Sequence, residues 1–249
     1  MASSRKSQQS PKPGMRIAVA FSGGLDSVVL LDTVCKAQAK NQSAEIFAFH
    51  IHHGLQKQAD DWLIFCEKLA KKYKIHFDFR LLHLTDVEEG NIEARARAGR
   101  YEALTELCIA HGIDDLLLAH HQNDQAETVL LGLARGSGTR TLSGMATMNG
   151  IYIRPFLEIS KEIILQACQE IGLELWEDPH NGNLEFTRVR VRKNVLPEIE
   201  SELGPGIIDA LSRSARILGE DAQALDEWAE QVIKEIGLNN LEVEKLASL

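Results

Sequence analysis

Short apolar runs alternate with longer segments of helical periodicity through most of this chain. The first run, residues 17–21, leads into a glycine turn, and a second apolar run at 28–31 follows directly. Apolar runs without strict polar alternation are typical of strands that are buried on both faces of a parallel sheet. We therefore predict an α/β fold with a doubly wound, mainly parallel sheet, in which ligands bind at the carboxyl ends of the strands.

The same pattern predicts the order of the further elements. We expect strands at 46–49, 77–81, 116–118 and 151–153, and helices at 59–73, 91–111, 124–134 and 160–171, the last capped by Ser160. Residues 132–150 are rich in Gly, Ser, Thr and Arg, and we predict a loop region there. From Pro205 onward, apolar residues recur at helical spacing in an acidic segment, which predicts a long helix.

Length and charge limit the organisation and the partners. A chain of 249 residues with 44% hydrophobic content allows one α/β domain and an accessory segment. We predict a disordered polar tail over 1–14, a catalytic domain over 15–200, and over 201–249 a helical linker with the start of a truncated or absent C-terminal domain. The net charge of −9 means that any RNA contact must come from local basic patches.

Cysteine spacing and hydropathy exclude several classes. The four cysteines are far apart and form no CxxC pair, which argues against a zinc ribbon, a cysteine-ligated iron–sulfur cluster and a thioredoxin-type centre. Three of them lie in apolar helical stretches, where we expect them to be buried. No apolar stretch approaches the length of a membrane span, and the N-terminal residues lack the apolar core of a signal peptide. We predict a cytoplasmic protein with no membrane partner.

The segment Ser22-Gly23-Gly24-Leu25-Asp26-Ser27, between the first strand and the first helix, predicts a phosphate site. Paired glycines let the backbone approach an anion, and the free N–H groups of the helix's first turn point toward it. The segment is not a Walker A loop, because it lacks the Gly-Lys-Ser/Thr ending and supplies no lysine for the outer phosphates. The alternative is an ordinary βα turn with a helix cap. The position of the segment after a strand favours the phosphate site over this alternative.

Carboxylates and imidazoles follow other predicted strands. Asp124 and Glu127 are three residues apart on one helix face, where their oxygens suit Mg²⁺, with Asp26 as a candidate third ligand. Helix capping by the same two residues is compatible with metal binding. A metal site built from histidines 50, 52, 120 and 121 is the weaker alternative to hydrogen bonding and base stacking.

Two arginines mark the helix predicted over 91–111. Arg97 and Arg100 share one helix face with Glu93. A solvated ion-pair face and a guanidinium directed at a leaving pyrophosphate explain this spacing equally well.

Eight segments, in order from Arg16 to Pro197, together resemble one family, the tRNA(Ile)-lysidine synthetases of the N-type ATP pyrophosphatase (PP-loop) superfamily. They are SGGLDS (22–27), HIHHGL (50–55), NIEARARAGRY (91–101), AHHQNDQAET (119–128), RGSGTRTLSGM (135–145), IRPFL (153–157), EDPHNGN (177–183) and TRVRVRKNVLP (187–197). The loop alone marks only the superfamily. The fifth, sixth and seventh segments distinguish this family from GMP synthetase, asparagine synthetase and the tRNA thiolases.

The resemblance implies a ligase. ATP would adenylate the C2 oxygen of cytidine 34 in a tRNA(Ile) with a CAU anticodon, and L-lysine would then displace AMP, with ATP and Mg²⁺ as the cofactors. The implied ATP site is Ser22, Gly23, Gly24, Leu25, Asp26 and Ser27; the implied catalytic residues are Asp26, Arg97, Asp124 and Glu127; the implied magnesium ligands are Asp26, Asp124 and Glu127; and the implied tRNA-binding residues are Arg100, Asp178, Asn181, Arg188 and Arg192.

Some positions depart from the family pattern, and other functions stay open. His52 and Asn123 stand where many members have Asp, and Val189 stands where many have Asn. The alternatives are a tRNA thiolase or another adenylating PP-loop ligase, and a non-catalytic module that binds nucleotide or RNA. The residues leave open whether the chain forms a homodimer.

Overall fold

A computed structural model describes residues 14–41, 44–52, 57–82, 92–172 and 184–236. These residues form two compact units. The sheet unit comprises Met1–His121 and Thr147–Val189, and the helical unit comprises Gln122–Ala146 and Arg190–Leu249, each as far as it is described. The boundary near residue 200 and the tail over 1–14 stay predictions, and all of that tail except Gly14 lies outside the described residues.

The sheet unit contains a six-stranded sheet. Its strands are β1 (Met15–Ala20), β2 (Ala44–His52), β3 (His76–Leu81), β4 (Asp115–Leu117), β5 (Met148–Asn149) and β6 (Tyr152–Ile153). Their order is β3-β2-β1-β4-β6-β5, and every neighbouring pair is parallel except β5 with β6. The mainly parallel sheet that the apolar runs predict is therefore confirmed.

The described helices follow the predicted alternation. They are α1 (Leu25–Asn41), α2 (Lys57–Tyr73), α3 (Ile92–His111), α4 (Gln122–Ala134), α5 (Thr139–Leu142), α6 (Lys161–Ile171), α7 (Thr187–Arg190), α8 (Leu196–Leu203) and α9 (Ile207–Ile236), with a π-helical turn at Val191–Val195. None of them is both long and apolar enough to cross a membrane.

Hydrophobic cores cover both faces of the sheet, because neighbouring residues of a strand point to opposite sides. Val19 of β1 is fully buried in a core with Leu30 of α1 and Cys66 of α2. Its neighbour Ala18 is fully buried in a second core that includes Leu107 of α3. Helices on both faces confirm the doubly wound arrangement.

Two details differ from the sequence-based expectations. The predicted loop over 132–150 contains the short helix α5 and the strand β5. Ser160 has the extended backbone of a helix cap, but its side chain makes no capping hydrogen bond. The long helix predicted from Pro205 onward is α9, in which Ala215 is fully buried and Trp228 is 60% exposed.

The predicted burial of three cysteines is confirmed. Cys66, Cys108 and Cys168 are buried, and Cys35 is half-buried. Burial raises the pKa of the Cys66 thiol to about 12, so this side chain acts as a small apolar core residue.

Candidate active site

The turn after β1 is held by its own hydrogen bonds. Phe21 N–H donates to the carbonyl of Phe49 at 2.7 Å, which extends the pairing of β1 with β2 up to the turn. The Ser27 hydroxyl donates to the Gly24 carbonyl at 2.9 Å and lies 3.1 Å from the Ser22 hydroxyl. The first turn of α1 is thereby fixed against the glycines, in the arrangement in which backbone N–H groups bind anions.

Gly23 occupies a position that only glycine fits. Its φ is +81°, in the left-handed region. A Cβ at this position would collide with the indole Nε1 of Trp62 and come 2.8 Å from Cys66 Sγ, both on α2. The backbone of the turn therefore rests directly on α2, so the glycine is required by both conformation and packing.

Asp26, in the first turn of α1, contacts two basic side chains. Lys161 Nζ donates to its Oδ1 at 2.5 Å, and His121 Nε2 lies 3.7 Å from its Oδ2. Burial by itself would raise the pKa of this carboxyl, but His121 and Lys161 favour the charged form more strongly, so the pKa lies below its ordinary value. Asp26 is thus an anion at physiological pH.

The packing of α6 on α1 brings Lys161 to this position. Val29 of α1 is buried with Ile164 and Cys168 of α6, and the side chain of Leu25 packs against the same group. Lys161 is the first residue of α6 and lies three residues before Ile164, just as Asp26 lies three residues before Val29. The first turns of the two helices therefore lie side by side. Because the Leu25 side chain packs in this core, only the backbone of Leu25 could contact a ligand.

The histidines at the strand ends have separate partners. His50 Nδ1 lies 2.9 Å from the Phe21 carbonyl, and His52 Nε2 lies 3.2 Å from a carboxylate oxygen of Asp60. His121 faces Asp26. These contacts support the hydrogen-bonding interpretation of the histidines.

In the helical unit, Arg192 joins the two carboxylates of α4. Arg192 Nε donates to Glu127 Oε1 at 2.6 Å, and its Nη2 donates to Glu127 Oε2 at 3.0 Å and to Asp124 Oδ1 at 3.1 Å. The Glu127 side chain is fully buried, and that of Asp124 is 12% exposed. The sequence predicted the pairing of the carboxylates on one face, whereas their arginine partner was expected at tRNA.

Asp124 and Glu127 are the carboxylates of this unit that could hold a divalent cation. One oxygen of each accepts a hydrogen bond from Arg192 Nη2, so both face the same cationic group. Mg²⁺ takes one or two protein carboxylates and completes its shell with phosphate and water. Among the described residues no group of three or more His, Cys, Asp or Glu side chains has the geometry of a metal site. The residues that would hold magnesium here are Asp124 and Glu127.

A neighbouring residue of α4 binds the Ser-Gly-Met block that ends the segment RGSGTRTLSGM (135–145). Gln125 of α4 accepts a hydrogen bond from the Met145 N–H at 2.8 Å and donates one to the Met145 carbonyl at 3.0 Å. Gly144, at φ +65°, lies so close that a Cβ there would be 2.6 Å from Gln125 Oε1. This block therefore fastens the loop after α5 to α4.

The remaining predicted residues are spread over other elements. Arg97 on α3 is exposed, with its guanidinium carbon 5.7 Å from the centre of the Tyr101 ring. Arg100 on α3 and Arg188 on α7 are half-buried. Asp178 and Asn181 lie outside the described residues.

Sequence reasoning missed Lys161. A basic residue in the first turn of a helix is unfavourable, because it opposes the helix dipole. The lysine at the start of α6 was therefore the feature of the sequence that could have indicated a functional role.

Several known proteins are similar to this chain over most of its length. The family model of the PP-loop domain matches residues 1–199. A tRNA(Ile)-lysidine synthase of Thermobifida fusca is 40% identical over 225 residues, which are 90% of this chain and 68% of the relative. Another tRNA(Ile)-lysidine synthase, of Rhodococcus erythropolis, is 40% identical over 95% of this chain and 70% of its own length. For a third, of Streptomyces coelicolor, the identity is again 40%, but the match spans 61% of that relative.

A solved structure shows the same fold with a distant sequence. The U34-tRNA thiolase of Methanococcus maripaludis, solved with its [4Fe-4S] cluster, superimposes with a TM-score of 0.72 at 18% identity. The match covers 84% of this chain and 74% of the thiolase. At this identity the likeness establishes the fold alone.

Proposed function

Because the chain belongs to the tRNA(Ile)-lysidine synthase family of PP-loop proteins, we propose that it converts cytidine 34 of tRNA(Ile) to lysidine, at the expense of ATP. The structural observation that carries the use of ATP in this proposal is the turn at residues 22–27. It combines a glycine at φ +81° with the start of α1, at the end of a buried strand. These features suit a polyphosphate.

The first step transfers AMP. The C2 oxygen of cytidine attacks the α-phosphorus of ATP, the new O–P bond forms, and the bridging bond to the β-phosphate breaks with release of pyrophosphate. The backbone N–H groups after Gly23 would bind the departing pyrophosphate, and the charge that accumulates on it makes this stabilisation larger in the transition state.

The second step exchanges oxygen for nitrogen at C2. An amine of L-lysine attacks C2, the C–N bond forms, the C2–O bond breaks, and AMP departs with the electron pair while the amine loses a proton. Adenylation is needed because a pyrimidine carbonyl oxygen is by itself a poor leaving group.

The buried carboxylates of α4 support a role for a bound cation in this reaction. Asp124 and Glu127 would hold Mg²⁺ or the lysine amine, since both already pair with the cationic group of Arg192. Mg²⁺, when bound, would neutralise charge on the polyphosphate. That Asp26 is a further magnesium ligand, that Arg97 meets phosphate, and that the reaction takes place in the cytoplasm stay predictions of the sequence.

Mass spectrometry of a CAU tRNA(Ile) incubated with the protein, ATP, Mg²⁺ and L-lysine tests the proposal. We expect cytidine 34 to gain the mass of lysine less water, with stoichiometric AMP and pyrophosphate. Omission of lysine should abolish the product. A sulfur-containing base formed with a sulfur donor, or unchanged cytidine under all conditions, would overturn the proposal.

A further inference from the structure

We propose that Lys161 binds the pyrophosphate portion of ATP, as the ammonium group that the loop at residues 22–27 does not itself contain. This inference rests on the proposed function, since it assigns a residue to the same polyphosphate site. Its starting point is that a loop built for phosphate has no lysine in its sequence. In the folded chain a lysine from α6, 135 residues away, reaches this loop.

The position of Lys161 opposes the local electrostatics of its own helix. It is the first residue of α6, where the partial positive charge of the helix start disfavours a cation. Asp26 offsets this cost through the 2.5 Å contact with Lys161. A cation placed against the helix dipole is an exception to local preference, and such exceptions occur at functional sites.

The surroundings of the pair suit a larger anion. The side chains of Lys161 and Asp26 are 29% and 30% exposed, so a ligand from solvent can reach them without opening the core. The first turns of α1 and α6 lie side by side, which places two sets of helix N–H groups near the same ammonium. A pyrophosphate has more negative charge than one carboxylate and therefore competes well for this lysine.

Binding measurements without chemistry test the assignment. The probes are α,β-methylene ATP, inorganic pyrophosphate and AMP, which differ in whether they contain the β- and γ-phosphates. For Lys161→Met we expect about tenfold weaker binding of the first two probes and an unchanged affinity for AMP, because one charge-assisted contact to the outer phosphates is lost. Lys161→Arg should retain most of the affinity. Lys161→Gln is the second variant if the methionine form does not fold.

Lys36→Met is the matched control. Lys36 also pairs with a carboxylate of α1, Asp32, at 2.7 Å, but on another turn of that helix. We expect its affinity for all three probes to equal that of the unaltered protein.

Asp26→Asn tests whether Lys161 binds the ligand or only neutralises the charge of Asp26. In EDTA, loss of the competing carboxylate should tighten pyrophosphate binding severalfold, and this gain should vanish when Lys161→Met is added.

The outcomes distinguish the two proposals. If the unaltered protein binds neither α,β-methylene ATP nor pyrophosphate, the proposed function itself is contradicted. If it binds both and Lys161→Met binds them equally well, Lys161 is no phosphate ligand. An equal loss for AMP and pyrophosphate would show that Lys161 supports the loop, and loss of tRNA affinity alone would assign it to RNA; both results overturn this inference.

Discussion

The guanidinium of Arg192 holds the fully buried carboxylate of Glu127 by two hydrogen bonds, from Nε at 2.6 Å and from Nη2 at 3.0 Å. Two parallel bonds between planar groups give both strength and orientation. The π-helical turn that contains Arg192 therefore has a fixed position on α4, to which Val191 also contributes by packing on Ala126.

Arg192→Met should destabilise the protein strongly, because it leaves Glu127 buried and charged without this partner. We expect a loss of about 2–4 kcal/mol in the free energy of unfolding, measured by urea denaturation. Arg216→Met is the control, since Arg216 pairs with Glu220 on the exposed surface of α9 and should cost no more than about 0.5 kcal/mol. Equal effects of the two substitutions would contradict the structural role of Arg192.

Gly23→Ala tests the contact between the loop and α2. An added methyl group meets Trp62 and Cys66, and the left-handed backbone adds its own strain. Gly136→Ala isolates that strain, because Gly136 has φ +66° but nothing within 4 Å of a new Cβ. We expect Gly23→Ala to cost about 1–3 kcal/mol more in unfolding free energy than Gly136→Ala. If the two variants lose the same unfolding free energy, α2 moves to accommodate the added methyl group.

Much of the fold could be predicted from local patterns. The strand at Ala44–His52 is apolar for most of its length, and the loop at 22–27 lies between two apolar runs, so their types and order followed from the sequence alone. The family motifs likewise located the loop and the carboxylates of α4.

Pairings between distant residues could not be predicted in the same way. Lys161 meets Asp26 across 135 residues and Arg192 meets Glu127 across 65 residues, and no periodicity relates such positions. The first contact depends on the packing of α6 on α1 and the second on the turn before α8. Helical spacing likewise predicted the helix α9 but could not predict how much of its length is covered.

Asp26→Ala and Asp124→Ala should each reduce ATP–pyrophosphate exchange by at least roughly 100-fold, if both carboxylates act on the polyphosphate or its cation. Glu220→Ala, an exposed carboxylate of α9, should leave exchange unchanged. Circular dichroism verifies that each variant is folded. Normal exchange in a folded variant would remove that residue from the catalytic group.

Asp26 should also make stability depend on pH. Burial opposes its ionisation, but His121 and Lys161 prevail and lower its pKa in the folded state. A carboxyl of this kind stabilises the fold above its unfolded pKa of about 3.9, and this stabilisation is lost as the pH falls through the lower folded value. In urea titrations, Asp26→Asn should therefore cost most near neutral pH, and its penalty should shrink below about pH 4. A penalty that is constant or grows on acidification would contradict the ion pair.

Arg188, which lies half-buried on α7, provides a test of the predicted tRNA contact. If Arg188 contacts a phosphate, Arg188→Gln should weaken tRNA binding and lower the slope of log K against log salt concentration by about 0.7–0.9, since one fewer counterion is released. Filter binding at several salt concentrations measures this slope. Arg213→Gln, which removes an exposed arginine of α9, is the control for net charge and should leave the slope unaltered. Because uniform charge loss would affect both variants alike, an equal slope change in the two would place the RNA surface elsewhere.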